Sequence, residues 1–360
     1  SYTGSRSIIH RVIQIDFSSI SAFLTGFSTY PQPLRLRLRI FTIFFLYKQT
    51  HQAVRKGELS TIMKLVFDKA DLVKSVGIAM KAVSGKTTMP ILECILIDAS
   101  SNVIKFTSND MELGIETIVT GMILERGIVA LDAKIFSEIV RKLPDNQVTI
   151  ETDENLVTTI TCEKAKFNIP GQSGEDFSYL PILETSDCVS ISQFTLKELI
   201  RQTIFSIAAN ENNKLMTGEL FEIKDNTLRV VSLDGHRIAI RRIELNEISK
   251  ILSGEMDDQI DIYFSENHIM FKFDDTTVVS RLIDGEYFRI DQMLSSDYET
   301  KVTINKKEFL SCIDRATLLV KEGDKKPIII DIQDGAMELQ INSAMGSMKE
   351  EIDINKEGKD

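Results

Sequence analysis

Asp234-Gly235-His236-Arg237 sets an acid and an imidazole two positions apart, the residue types that general acid–base catalysis uses. Such a pair works only beside a nucleophile or a metal at matching spacing, and neither accompanies it. The plainer reading is a turn, with Asp and Gly shaping the backbone and His and Arg capping a strand end. That reading outranks catalysis. The four histidines are scattered, and Cys94, Cys162, Cys188 and Cys312 lie far apart without a C-x-x-C pair. This spacing argues against a zinc site and a disulfide framework and fits a reducing cytosol. These patterns lead to no expected catalytic residue or metal.

A second set of residues offers charge rather than bond-making. Lys69, Lys74, Lys81, Lys134, Arg141, Lys142, Lys197, Arg201, Lys250, Lys306, Lys307 and Arg315 all fall on stretches with helical spacing. Each taken singly reads as part of a solvated helix face. As a set they stand out, because the chain carries a net charge of −11. Residues 1–62 hold eight Lys/Arg against two Asp/Glu, a net of +6, which leaves −17 for residues 63–360. An acidic body alone counts against a polyanion partner, so only a local basic face would bring one in.

The elements that must carry these residues form a repeat. Phe67–Val83, Phe194–Ala208 and Ile304–Val320 share one amphipathic helical pattern, with Leu72/Val73, Leu199/Ile200 and Phe309/Leu310 in matching places. A hairpin follows each. The first joins Ile95–Asp98 to Val103–Thr107 through Ser101-Asn102, and the second joins Leu220–Ile223 to Thr227–Val231 through Asp225-Asn226. The third joins Ile328–Ile332 to Ala336–Ile341 through Asp334-Gly335, residues that accept the positive φ of tight turns. A further helix, Ser137–Leu143, matches Asn246–Leu252, and each leads into three short strands. Those strands are Val148–Glu151, Leu156–Cys162 and Lys166–Ile169, then Ile260–Phe264, Ile269–Phe273 and Thr277–Leu282. The fold class expected is α+β: tandem domains, each with two helices packed on antiparallel sheets.

Two defects break the repeat. Asp110 to Glu138 is 28 positions, whereas the equivalent Asp234 to Glu247 is 13, so about 15 residues are missing near 243–246. The third domain shows one half of the pattern. Residues 1–62 stand outside it: Arg35, Arg37 and Arg39 alternate with Leu, and the apolar run Ile40–Tyr47 is far shorter than the about 20 residues a membrane span needs. An Arg- and Ser-rich, acid-poor leader would also suit organellar targeting. The expectation preferred here is a start at Met63, where the repeat begins, with a preceding segment that packs poorly on the rest. The domains expected are an atypical extension over 1–62, then 63–185, 186–300, and a partial third over 301–360.

Met89-Pro90-Ile91-Leu92, Thr217-Gly218-Glu219-Leu220-Phe221-Glu222, Asp234-Gly235-His236-Arg237-Ile238-Ala239 and Leu282-Ile283-Asp284-Gly285-Glu286-Tyr287 occur in this order on the repeat. So arranged, the chain from Met63 to Asp360 resembles the β subunit of bacterial DNA polymerase III, the sliding clamp. The resemblance implies the DNA clamp fold, a head-to-tail homodimer ring around double-stranded DNA, and a cytoplasmic, non-catalytic processivity factor that needs no cofactor. It also implies a clamp-loader ATPase and polymerases and repair proteins that dock through linear peptide motifs, with no membrane partner. A protein-only scaffold, or a clamp fragment unable to close a ring, is the alternative that the incomplete third domain suggests.

The resemblance also distributes the sites. Lys69, Lys74, Lys81, Lys86, Lys134, Arg141, Lys142, Lys197, Arg201, Asn210 and Lys250 are expected to face DNA. They would touch phosphates rather than base edges, because phosphate contacts carry no sequence information. Lys86 stands where relatives usually carry a DNA-contacting Arg. A peptide-docking groove is expected from Met216, Leu233, Gly235, His236, Arg237, Ile238, Phe288, Gln292 and Met293. Relatives usually have Pro and Arg near Phe288 and Gln292, so the groove's preference is expected to differ here.

Overall fold

The computed structural model describes the backbone of residues 9–13 and residues 62–85, 87–183, 188–208, 213–224, 226–245, 258–294, 297–321 and 326–358. The chain divides into two units at Tyr287/Phe288. The first unit opens with strand β1 (Ile9–Ile13), then β2 (Met63–Asp68) and helix α1 (Lys69–Ala79). There follow β3 (Cys94–Asp98), β4 (Ile104–Asn109), β5 (Leu113–Val119), β6 (Met122–Glu125), β7 (Ile128–Asp132) and α2 (Ala133–Lys142). Strands β8 (Gln147–Thr152), β9 (Val157–Cys162) and β10 (Ala165–Gln172) complete this repeat unit. The next is built of β11 (Cys188–Ser192), α3 (Gln193–Arg201), β12 (Glu219–Lys224), β13 (Thr227–Leu233), β14 (Ile238–Glu244), β15 (Gln259–Phe264), β16 (His268–Phe273) and β17 (Thr276–Arg281).

Helix starts follow local chemistry. Asp132 accepts the Ile135 N–H at 2.7 Å ahead of α2, and Ser192 accepts that of Thr195 at 3.0 Å ahead of α3. The expected helices end early: α1 stops at Ala79 and α3 at Arg201, each running on into a short 3-10 turn, Met80–Ala82 and Ile204–Ser206. The match at Asn246–Leu252 lies outside the described residues.

Helices α1 and α2 pack together on the strands, and edge-on Phe67, Phe106 and Phe136 rings, with centroids 6.0 and 6.1 Å apart in sequence, join the two layers. Among the described residues, thirteen strands form one sheet in the order β11-β15-β16-β17-β5-β4-β3-β7-β10-β9-β8-β2-β6. Its middle crosses from one repeat unit to the next, where β5 runs antiparallel to β17 with Thr117 opposite Thr276 and their hydroxyls 2.9 Å apart. A separate four-stranded sheet has the order β1-β12-β13-β14. The expectation that residues 1–62 stand apart therefore meets an exception at Ile9–Ile13, which pairs along β12.

The second unit holds α4 (Ile290–Met293), β18 (Thr300–Ile304), α5 (Lys306–Thr317), β19 (Ile329–Gln333), β20 (Ala336–Ser343) and β21 (Gly346–Gly358). Its sheet runs β18-β21-β20-β19, and Cys312, Met337, Leu339 and Ile352 form its core. Asn305 caps α5 by accepting the N–H groups of Lys307 and Glu308. Asn226 (φ +68°) and Gly335 (φ +82°) take the left-handed conformation at the two expected hairpin turns.

Candidate nucleic-acid interface and docking groove

Along α1 and the turn after it, Ala70, Lys74, Gly77 and Lys81 are exposed while Leu72, Ser75, Val76, Ile78 and Ala79 are buried. The three- and four-residue steps place Lys74 and Lys81 on one outward stripe. The neighbouring α2 exposes Lys134, Glu138, Arg141 and Lys142 and buries Phe136, Ser137 and Val140. Two packed helices thus present five lysines and arginines against one glutamate, a local basic face on an acidic chain.

Not every expected cation is equally placed. Lys69 is partly buried and gives its ammonium to Asp145 at 2.8 Å, tying the start of α1 to the segment after α2. Arg201 is held by both oxygens of Glu198, at 2.9 and 2.7 Å, three residues back on α3. Arg141 donates from Nε to the Ser137 carbonyl at 3.3 Å. Lys197 is half-buried on α3. Lys86, Asn210 and Lys250 lie outside the described residues.

The Asp234–Arg237 stretch is the turn between β13 and β14. One Asp234 oxygen accepts the N–H groups of His236 and Arg237 at 3.0 and 3.1 Å, and the other accepts Arg237 Nε at 2.9 Å. The His236 N–H and the Arg237 guanidinium hold this carboxyl below the usual carboxylate range. Gly235 sits at φ +87°. The first repeat unit makes the same turn without a histidine: Asp110 accepts from Glu112 and Leu113, and Met111 takes φ +77°. Asp234 therefore orients backbone, and the imidazole beside it is not what the turn requires.

Around that turn lies an apolar surface. The Arg237 guanidinium sits 5.6 Å from the centre of the Phe205 ring, which is 57% exposed, in the range of a cation–π contact. The 3-10 turn that carries Phe205 packs on β13 and β14. Met216 lies on a second 3-10 turn, Lys214–Thr217, fastened by its carbonyl to the Ala208 N–H at 2.8 Å. A Cβ on Gly285 (φ +127°) would meet Leu215 at 3.4 Å, so the Asp284-Gly285 turn closes on the same spot. Leu233 is buried behind the turn and Ile238 half-buried. Among the expected groove residues, Phe288, Gln292 and Met293 belong to the second unit, where Gln292 and Met293 are exposed and Phe288 is half-buried.

Phe205 and Leu215 border the same apolar surface, and sequence reasoning missed them. Phe205 looked like one more apolar position of a helix; it is exposed because α3 has already ended. Beneath the turns, Glu219 is fully buried at the first position of β12, and no ion pair reaches it among the described residues. Burial pushes its carboxyl up to about 8, with the Thr203 hydroxyl offsetting part of the rise. Burial first, and then the Glu219 charge, raise the Tyr287 phenol as well.

Family models and relatives match this arrangement. The model for the N-terminal domain of the DNA polymerase III beta subunit matches residues 63–181, and that for its central domain matches residues 190–250. A beta sliding clamp from Staphylococcus epidermidis is 31% identical over 319 residues, spanning 82% of this chain and 84% of that protein. One from Staphylococcus aureus is 32% identical over the same shares. The crystal structure of a DNA polymerase III beta subunit from Eubacterium rectale is 68% identical, with a TM-score of 0.77 over 83% of this chain and 85% of that one. A DNA polymerase sliding clamp from Bacillus subtilis is 33% identical, with a TM-score of 0.76 over 83% and 86%.

Proposed function

Because the chain belongs to the bacterial DNA polymerase III β sliding-clamp family, we propose that it is a DNA sliding clamp: a non-catalytic subunit that encircles duplex DNA and tethers polymerases to it. The observation that carries this reading on the chain itself is the basic face of α1 and α2 within an acidic protein. Loose phosphate contacts from Lys74, Lys81, Lys134, Arg141 and Lys142 centre the duplex, while topology retains it. Strong binding would pin a ring that has to slide, so net repulsion over the rest of the chain suits the task.

In this reading the clamp domains occupy 63–185 and 186–300, with part of a third over 301–360, and subunits associate head to tail. Phe205, Leu215, Met216, Arg237 and Ile238 receive an extended peptide with Leu or Phe anchors, since an apolar cleft with a few polar groups suits such a ligand. Polymerases and repair proteins dock there, and a loader ATPase opens the ring. The test is retention. Loaded by a clamp-loader ATPase on circular DNA, the protein should survive a salt wash that strips it from linear DNA, and leave when the circle is cut. Equal loss from circles and linear DNA with rising salt would make electrostatics the tether and end the clamp reading.

A further inference from the structure

The inner strands of the first two repeat units can be matched residue for residue. Ser108 donates to the Ala79 carbonyl at 2.5 Å, and Ser232 donates to the Thr203 carbonyl at 2.5 Å, at the same place in each unit. One residue before each serine, Thr107 pairs with Leu96 and Val231 with Leu220. Hence β12 repeats β3, with Glu219, Leu220 and Phe221 standing for Ile95, Leu96 and Ile97.

The outer edge of β3 is covered by β7, with Ile95 opposite Leu131, Leu96 opposite Ala130 and Ile97 opposite Val129. The outer edge of β12 is covered by β1, with Glu219 opposite Ile13, Leu220 opposite Val12 and Phe221 opposite Arg11. Both pairings are antiparallel and in the same register, so residues 11–13 hold the positions of 129–131. Among the described residues, no strand of the second repeat unit itself takes this place. In the first, residues 120–146 between β5 and β8 supply β6, β7 and α2; in the second, only residues 245–258 separate β14 from β15.

We propose that the outer edge of β12 is a strand-acceptor site and that Ile9–Ile13 is its ligand in cis, standing on β12 where β7 stands on β3. An edge strand exposes a row of unpaired N–H and C=O groups and pairs readily with another chain if left bare. A β-branched segment such as Ile-His-Arg-Val-Ile suits that edge. Ile9–Ile13 is on this account a working part of the second unit's sheet. The inference rests on the internal repeat and stands whether or not the protein retains DNA.

Hydrogen exchange of the full chain, read by mass spectrometry, tests it. Val12→Pro, which removes an N–H and bends the strand, should speed exchange of the alternate Leu220–Ile223 amides that point at β1 at least tenfold, whereas Val12→Ile should leave them protected. The Ile95–Ile97 amides, covered by β7, should be unchanged in both. Unchanged protection of β12 in Val12→Pro overturns the proposal. So does equal loss in β3 and β12, which would report general unfolding rather than a vacated edge.

Discussion

The first and second repeat units share a hairpin, a serine anchor and an aspartate-built turn, yet differ where those features meet the interior. Ile95 in one is Glu219 in the other, and both are fully buried. Counted from the caps Asp68 and Ser192, which set Leu72 against Leu196 rather than the expected Leu199, Lys81 in the first 3-10 turn is Phe205 in the second. β7 closes the first sheet from within, whereas β1 reaches the second from the far end of the sequence. The first unit is thus a self-contained core with a basic outer face. The second carries the apolar surface and buries two carboxylates, Glu219 and Glu222. One fold tolerates both because backbone pairing and turn chemistry are kept, while the side chains that fill and line it vary.

Exchanging the differing residues is the sharpest way to break this contrast. Glu219 comes first. Its carboxyl titrates near 4.5 when unfolded and at about 8 when folded, so the folded state holds the proton more tightly. Stability is then greatest below pH 4.5, where both states are protonated, and is lost as pH rises toward 8. Glu219→Ile should flatten that slope and at pH 8.5 stabilise by on the order of 4 kcal/mol, with little change at pH 4. Ile95→Glu should create such a slope in the first unit. Urea denaturation at the two pH values reads both; parallel wild-type and Glu219→Ile curves would place the charge outside the core.

A middle-sized effect is expected at the groove. Phe205→Lys, which installs the first unit's residue, should weaken a Leu/Phe-anchored peptide about tenfold, roughly 1.4 kcal/mol. Met216→Glu should remove binding altogether, and Lys81→Phe should create none in the first unit. Calorimetric titration decides; full affinity in both second-unit variants would move the groove elsewhere.

The smallest effect belongs to the helix face. Lys134→Ala should lower the slope of log affinity for linear DNA against log salt by about 0.9 without changing stability. Lys69→Ala should leave that slope alone, because its ammonium is committed to Asp145. A slope change from Lys69 equal to that from Lys134 would mean that the ion pair opens on DNA.

How much of this was legible follows from the range of each signal. The helical stripes and hairpin turns were readable because a buried stripe has a fixed step and Asn226 and Gly335 announce positive φ. β7 was missed: four of its five residues are buried, so Ile128–Asp132 shows no alternation. β1 was invisible because only a partner more than 200 residues away makes it a strand. Nothing local separates buried Glu219 from Glu222, which ion-pairs with Arg229 at 2.5 Å. The Glu198–Arg201 pair lay in plain view at helical spacing, whereas Lys69–Asp145 required the fold. The turn at Asp234 was readable from residue type, but the groove expected beside it came through resemblance, and the Phe205–Arg237 contact of that surface forms only on folding.

The β5–β17 ladder has a mechanical consequence. Five residue pairs, from Thr276–Thr117 to Ser280–Leu113, weld the two repeat units edge to edge, and antiparallel hydrogen bonds lie across the strands. A pull along the strands loads all five together in shear, whereas a pull across them opens the ladder one pair at a time. The angle between the units is likewise set by sheet twist, roughly −20 to −25° per strand, instead of by a free linker. That seam is stiff under sliding loads and yields to peeling, so bending of the chain under tension has to be found at other joints.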